Sequence, residues 1–204
     1  MKNIMMAIAL LFCIPVAFAA TSDKPNDGLL RVYSRDGVLE KEEYYKNKML
    51  DGEIKMFYPT GALKSITHYT ENKRQGPTKT YFENGVLENE GTYEDNDLDG
   101  LLQHYYDTGE LEREVYYRAG LLNGQAKIYY KTRALKQQST YKNGIIDGTT
   151  ISYAKDGTVT SEETYKDGIL LIRKEYKKNP DQTALATTDK SKEPAKDKSK
   201  EPTK

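Results

Sequence analysis

Glycine recurs every 24 residues, at Gly28, Gly52, Gly76, Gly100, Gly124 and Gly148, and everything else in the chain is read against that period. Counting this glycine as position zero, position five is always aromatic: Tyr33, Phe57, Tyr81, Tyr105, Tyr129 and Tyr153. Position seventeen is Tyr45, Tyr69, Tyr93, Tyr117, Tyr141 and Tyr165. Position eleven is Leu39, Leu63, Leu87, Leu111 and Leu135, then Val159; position nine is glycine in every copy but the fifth, where it is Arg133. Six copies in one register without an insertion require a fold in which each copy is one unit stacked on the next.

Each copy carries two turn signals, which leave two segments of about seven residues, the length of a strand. The first is Asp36-Gly37, Thr60-Gly61, Asn84-Gly85, Thr108-Gly109 and Asp156-Gly157, with glycine supplying the positive φ of a hairpin turn. The second runs through stretches such as 142–148 and reads as looser, centred near position twenty-three. The unit is then strand, tight turn, strand, looser turn. Its repetition predicts an all-β chain: a single-layer, twisted antiparallel meander of about twelve strands, roughly 55 to 60 Å across. Positions five, eleven and seventeen are all odd, so strand alternation places them on one face as a Tyr, Leu, Tyr ladder. The charged even positions, among them Glu40, Glu42, Lys64, Glu88, Glu90 and Glu114, fall on the other. A leucine-rich repeat lacks its spaced Leu and Asn here, and a β-helix needs three turns per rung where two are found.

Composition agrees with a single layer. Only 37% of residues are hydrophobic, 17 are Tyr and none is Trp, too little aliphatic material for a thick two-layer core. The formal net charge is zero, so no overall charge recruits nucleic acid.

Asp51-Gly52, Phe57-Tyr58, Thr60-Gly61, Leu63, Tyr69, Asn143-Gly144 and Asp147-Gly148 together resemble the bacterial variant of the MORN (membrane occupation and recognition nexus) repeat. The resemblance covers about Gly28 to Leu171. It implies a stack of twisted β-hairpins serving as a scaffold or binding surface, carries over no catalytic residue, and extends to variants labelled antitoxin components. Arg133 departs from the pattern and puts the fifth hairpin's turn type in question.

Residues 1–19 have the layout of an export signal: Lys2, an apolar run from Ile4 to Phe18, and Ala17-Phe18-Ala19 as a small-x-small cleavage site. The mature chain is expected to begin near Ala20, without Cys13, the one cysteine. Residues 20–27 read as a linker, 28–171 as the six repeats and 172–180 as a closing strand stopped by Lys177-Lys178-Asn179-Pro180. Residues 181–204 form a Lys/Glu/Pro-rich tail in which 189–196 and 197–204 are near copies, with too little apolar material to order itself.

The search for chemistry finds little. Asp95, Asp97 and Asp99 copy the first half of a calcium loop, but Tyr106 stands where the bidentate Glu belongs, so no metal is assigned. His68 and His104 lie in different repeats; adjacent pairs such as Glu42-Glu43 and Glu162-Glu163 point to opposite faces. No nucleophile elbow, phosphate loop or dinucleotide turn occurs, so no cofactor and no enzyme is expected. Charge is uneven along the array: 75–122 is strongly acidic, whereas 123–146 carries Lys127, Lys131, Arg133, Lys136 and Lys142 and no acid. The expectation is a non-catalytic exported scaffold, periplasmic or secreted, with no membrane span in the mature chain. Its binding surface would be the rungs Tyr81, Tyr105, Tyr129 and Tyr153, with Lys127, Lys131 and Lys136 choosing a protein partner of the envelope. The alternatives are a cell-wall glycan stacked on the Tyr ladder, with the tail as tether, and an immunity protein neutralising a toxin.

Overall fold

The computed structural model describes residues 24–177. The export signal, its cleavage site and the tail from Asp181 lie outside the described residues. Fifteen strands form one sheet: β1 (Gly28–Tyr33), β2 (Leu39–Lys46), β3 (Met49–Phe57), β4 (Leu63–Thr70), β5 (Lys73–Tyr81), β6 (Leu87–Glu94), β7 (Asp97–Leu98), β8 (Gly100–Tyr105), β9 (Leu111–Arg118), β10 (Leu121–Tyr129), β11 (Leu135–Lys142), β12 (Ile145–Ile146), β13 (Gly148–Tyr153), β14 (Val159–Lys166) and β15 (Ile169–Glu175). Every pairing is antiparallel between chain neighbours, so the meander read from the period is the fold. The short strands β7 and β12 are the leading ends of β8 and β13, set off at Asp99 and Asp147, whose N–H groups donate to Thr92 and Thr140 carbonyls. The last strand starts at Ile169, three residues before the segment 172–180 assigned to it from sequence.

The tight hairpin turn has one geometry in all six copies. In the first, Gly37 N–H donates to the Ser34 carbonyl (3.0 Å) and Ser34 N–H to Val38 (2.8 Å), a three-residue loop whose last member has positive φ. Arg133 does not change the turn. It sits at φ 68° and keeps both bonds, Arg133 N–H to Tyr130 (2.8 Å) and Tyr130 N–H to Ala134 (2.9 Å), in a conformation that disfavours a residue with a Cβ.

The second turn differs from its sequence reading. It is centred on positions nineteen and twenty, not twenty-three, and is as tight as the first: Asn47-Lys48, Glu71-Asn72, Asn143-Gly144 and Asp167-Gly168 have positive φ at both residues, the two-residue form that matches strand twist. Position seventeen accordingly faces position twenty-two, as in Tyr45 opposite Leu50, and not the next aromatic rung. Successive turns are also bonded to one another. The N–H at position twenty donates to a carbonyl of the preceding repeat, as in Asn72 to Leu50 (2.9 Å) and Gly144 to Leu122 (2.7 Å). Side chains at position twenty-three add caps, with Asp27 Oδ1 accepting from Asn47 N–H and Asp99 Oδ2 from Ala119 N–H.

The glycine at position zero is therefore no turn. It lies in a bulge inside the strand, with φ of 124° at Gly52 and 118° at Gly148, where three residues oppose one. A Cβ on Gly52 would lie 3.0 Å from Tyr44 Cβ, and on Gly148 3.3 Å from Thr140 Cβ, so both torsion and space select glycine.

A second bulge overturns the single-face ladder. In each hairpin position four faces position thirteen, but position five faces position eleven, as in Val32 with Lys41 and Tyr33 with Leu39, leaving position twelve unpaired. One extra residue reverses the alternation. Positions five and eleven share one face, here called outer, with one, three, fourteen and sixteen. Tyrosine at position seventeen lies on the other, inner face, with two, four, thirteen and fifteen. Position twelve turns inward as well: Glu88 accepts from Thr80 (3.0 Å), and Lys64 lies 5.5 Å from the centroid of the Tyr58 ring.

Burial is concentrated on the inner face. Along positions two and fifteen a row crosses the sheet through Ile54, Thr67, Thr78, Gly91, Leu102, Val115, Ala126, Ser139 and Thr150. The most buried side chains, Tyr45, Ile54, Ser139 and Thr150, all belong to this face. Polar members of the row satisfy one another, Thr67 with Thr78 (3.0 Å) and Thr150 with Ser139 (3.1 Å). Sheet pairing and this thin row stand in for a two-layer core.

Candidate interaction surface

The outer face carries two parallel rows, set by the two bulges. The first alternates aromatic and aliphatic residues in direct pairs: Phe57 with Leu63, Tyr81 with Leu87, Tyr105 with Leu111, Tyr129 with Leu135, Tyr153 with Val159. The second, at positions three and fourteen, runs Arg31, Glu42, Lys55, Ile66, Lys79, Glu90, Gln103, Glu114, Lys127, Gln138, Ile151, Glu162 and Lys174, each opposite the next on adjoining strands. Where the row is charged, the cations stand on the first strand of a hairpin and the anions on the second; Ile66, Gln103, Gln138 and Ile151 interrupt it. Ion pairs form at Arg31–Glu42 (2.9 Å), Lys79–Glu90 (2.9 Å) and Lys127–Glu114 (3.0 Å).

The two rows meet at the phenol groups. Tyr129 OH donates to Glu114 Oε1 (2.8 Å), the same oxygen that takes Lys127 Nζ, and Tyr105 OH reaches Gln103 Oε1 (3.3 Å). Burial, then the bond to Glu114, pushes the Tyr129 phenol up to about 12; burial and the Glu90 charge raise Tyr105. The backbone behind the rungs is tied as well, since Tyr58, Tyr106 and Tyr130 hydroxyls donate to the carbonyls of Tyr81, Tyr129 and Tyr153 in the next repeat. The result is a half-buried, fixed surface of ring faces and paired charges.

Of the residues singled out from sequence, the fold brings Tyr81, Tyr105, Tyr129, Tyr153 and Lys127 together here. Lys131 and Lys136 stand apart. Lys131 sits in a hairpin turn, 3.2 Å from Asp107 and 5.1 Å from the Tyr106 ring centroid, and Lys136 lies over Tyr130 on the inner side. The calcium-loop carboxylates are occupied separately: Asp95 pairs with Lys73 (2.7 Å) and Asp99 caps the next turn. Among the described residues no group of three or more His, Cys, Asp or Glu is placed to hold a metal. His68 and His104 are on opposite faces, bonded to the Pro77 carbonyl and Asn89 Oδ1. Glu42 and Glu43 also diverge, to Arg31 and to Tyr45.

Five of the six copies fit one family description, the MORN repeat variant, over residues 26–47, 50–71, 74–95, 98–119 and 146–167. The chain belongs to the MORN repeat variant family. The copy outside those matches contains Arg133, yet its backbone follows the others, so the departure is in sequence and not in fold. No curated protein matches the chain. MORN repeats are often protein or membrane interaction modules, and a non-catalytic repeat scaffold is in keeping with that. No helix among the described residues is long and apolar enough to cross a membrane. The charge row is hidden behind the near-invariant positions zero, five, nine, eleven and seventeen, and its signal lies in the variable positions three and fourteen, where Lys or Arg recurs on the one and Glu on the other.

Proposed function

We propose that this MORN variant is a non-catalytic, exported protein that works as a protein-interaction scaffold in the cell envelope or outside the cell, with the outer face of repeats three to five as its docking surface. The observation that carries the reading is the pair of rows there: aromatic rings held half-exposed beside ion pairs already formed, so a partner meets a preorganised surface and little side-chain order has to be created on binding. Rings of this kind at an interface centre, ringed by polar groups, are where binding energy concentrates.

The test is capture of envelope proteins by the purified full-length protein and by Tyr129→Ala/Lys127→Glu. Loss of one stoichiometric partner from the double variant supports the reading; retention of every partner sinks it. Lys131→Glu/Lys136→Glu serves as the comparison, since those lysines lie off the docking face. Export is read separately, by N-terminal sequencing of the secreted protein, with Ala20 expected first. A glycan-binding reading is kept on the same Tyr row, because ring faces at regular intervals suit sugar stacking. Sedimentation with purified peptidoglycan that Tyr105→Ala/Tyr129→Ala leaves unchanged removes it.

A further inference from the structure

The connector turns carry a second surface, continuous only over the last three copies. Position twenty-one follows each of these turns and faces position eighteen across it: Arg118 with Leu121, Lys142 with Ile145, Lys166 with Ile169. Earlier in the array the same pairs are Lys46 with Met49, Thr70 with Lys73 and Glu94 with Asp97. The aliphatic trio is well exposed, 50% for Leu121, 52% for Ile145 and 66% for Ile169. Each of the first two leans over the glycine of the next turn, Leu121 Cδ2 being 3.8 Å from a Cβ placed on Gly144 and Ile145 Cγ2 3.1 Å from one on Gly168. Glycine keeps the crest low there, so the aliphatic side chains stand as a continuous ridge with a cation beside each. Arg118 and Lys142 enter no ion pair among the described residues, while Lys166 is shared with Asp147 and Asp167.

Spacing and charge together select what fits. Neighbouring ridge residues are two strands apart, about 9.6 Å. Seven residues of α-helix rise about 10.5 Å, so a helix laid across the strands meets the ridge once per heptad, and about fifteen residues reach all three anchors. The flanking cations call for acidic residues beside those apolar positions, and Glu94, Asp95 and Asp97 repel such a helix at the near end. We infer that the Leu121–Ile145–Ile169 ridge docks an acidic amphipathic helix of a partner protein, with aliphatic residues at heptad spacing. The inference rests on the scaffold reading above and adds a second site to it, separate from the outer-face rows.

The experiment titrates the full-length protein with a labelled helical peptide of about three heptads, Leu at one heptad position and Glu around it, and with an isomer of the same composition whose leucines are dispersed. Vesicles of equal parts phosphatidylglycerol and phosphatidylcholine are the third probe. The heptad peptide is expected to bind at least about tenfold tighter than its isomer, and Leu121→Asp/Ile145→Asp/Ile169→Asp to lose at least about tenfold, a difference of about 1.4 kcal/mol. Tyr129→Ala/Lys127→Glu should leave that affinity in place. Circular dichroism melting of the triple variant guards against a folding defect; should it unfold, the single Ile145→Asp takes its place. Equal binding of the two peptides, or an unaffected triple variant, overturns the inference, as does vesicle binding lost in the triple variant without peptide binding. If envelope partners are lost only with the outer-face variant, the ridge falls and the scaffold reading stands.

Discussion

At position nine the backbone asks for positive φ and five copies answer with glycine; Arg133 complies at φ 68° and carries the strain. Arg133→Gly is therefore expected to stabilise the protein, by about 0.5 to 1 kcal/mol after the added freedom of the unfolded chain is subtracted, read as a higher denaturant midpoint. The reverse holds in the strand bulge. Gly148→Ala meets both φ of 118° and the Thr140 side chain, and should cost about 1 to 2 kcal/mol in the same assay. These two glycine classes were equally visible in the sequence but not equally interpretable. A recurring glycine announces positive φ, and positive φ serves a bulge as well as a reversal. Tyr129 offers a chemical check. Its phenol should ionise near 12, as should that of Tyr45, giving an ultraviolet titration step that Tyr129→Phe reduces and Tyr129→Phe/Tyr45→Phe removes. Because the folded value lies above the ordinary tyrosine value of about 10, the stabilisation is complete below that pH and is lost as pH rises from about 10 through 12.

Among the elements, the strands and their partners were legible because alternation and turn residues set them, and the pairing of positions five and eleven followed directly. The faces were not legible. A bulge is a matter of backbone hydrogen-bond register, and the residue it strands at position twelve, such as Glu40 or Lys64, reads as an ordinary polar strand residue. That one residue put Tyr45 and Tyr33 on opposite sides. The charge row can be probed through Glu114, which holds both Lys127 and Tyr129: Glu114→Gln should cost about 0.5 to 1 kcal/mol, diminishing with salt. The closing strand depends on Glu163, whose carboxylate accepts from Tyr165 OH (2.7 Å) and from Arg173 of β15. The Tyr165 bond first and Arg173 second hold that carboxyl below its ordinary range, so its support is present above about pH 4.5 and fades as pH falls through the lowered value. Hydrogen exchange at β15 amides should accelerate in acid before the rest of the sheet, and Glu163→Gln should produce that acceleration at neutral pH.

For the molecule as a whole, the stacking is nearest-neighbour, so a copy can be removed without disturbing the register. Deleting residues 100–123 joins β6 to β10 and places Glu90 opposite Lys127, a better pair than Glu90 with Gln103. On the inner row the same deletion sets Gly91 against Ala126 in place of Leu102, which thins the packing. The shortened protein should still fold cooperatively, with a denaturant m-value lower by about one sixth. The sheet path runs from β1 to β15 through an odd number of strands, thirteen, beginning and ending on the same half of the repeat. Both rims consequently point the same way. A copy shifted along the array offers its rim in parallel to a sheet that is antiparallel throughout, and offers the wrong half-repeat besides. Among the described residues, an array whose interior could be extended without limit thus ends in rims that cannot be joined head to tail, and rim-to-rim pairing is left to copies related by a two-fold axis, β1 to β1 or β15 to β15.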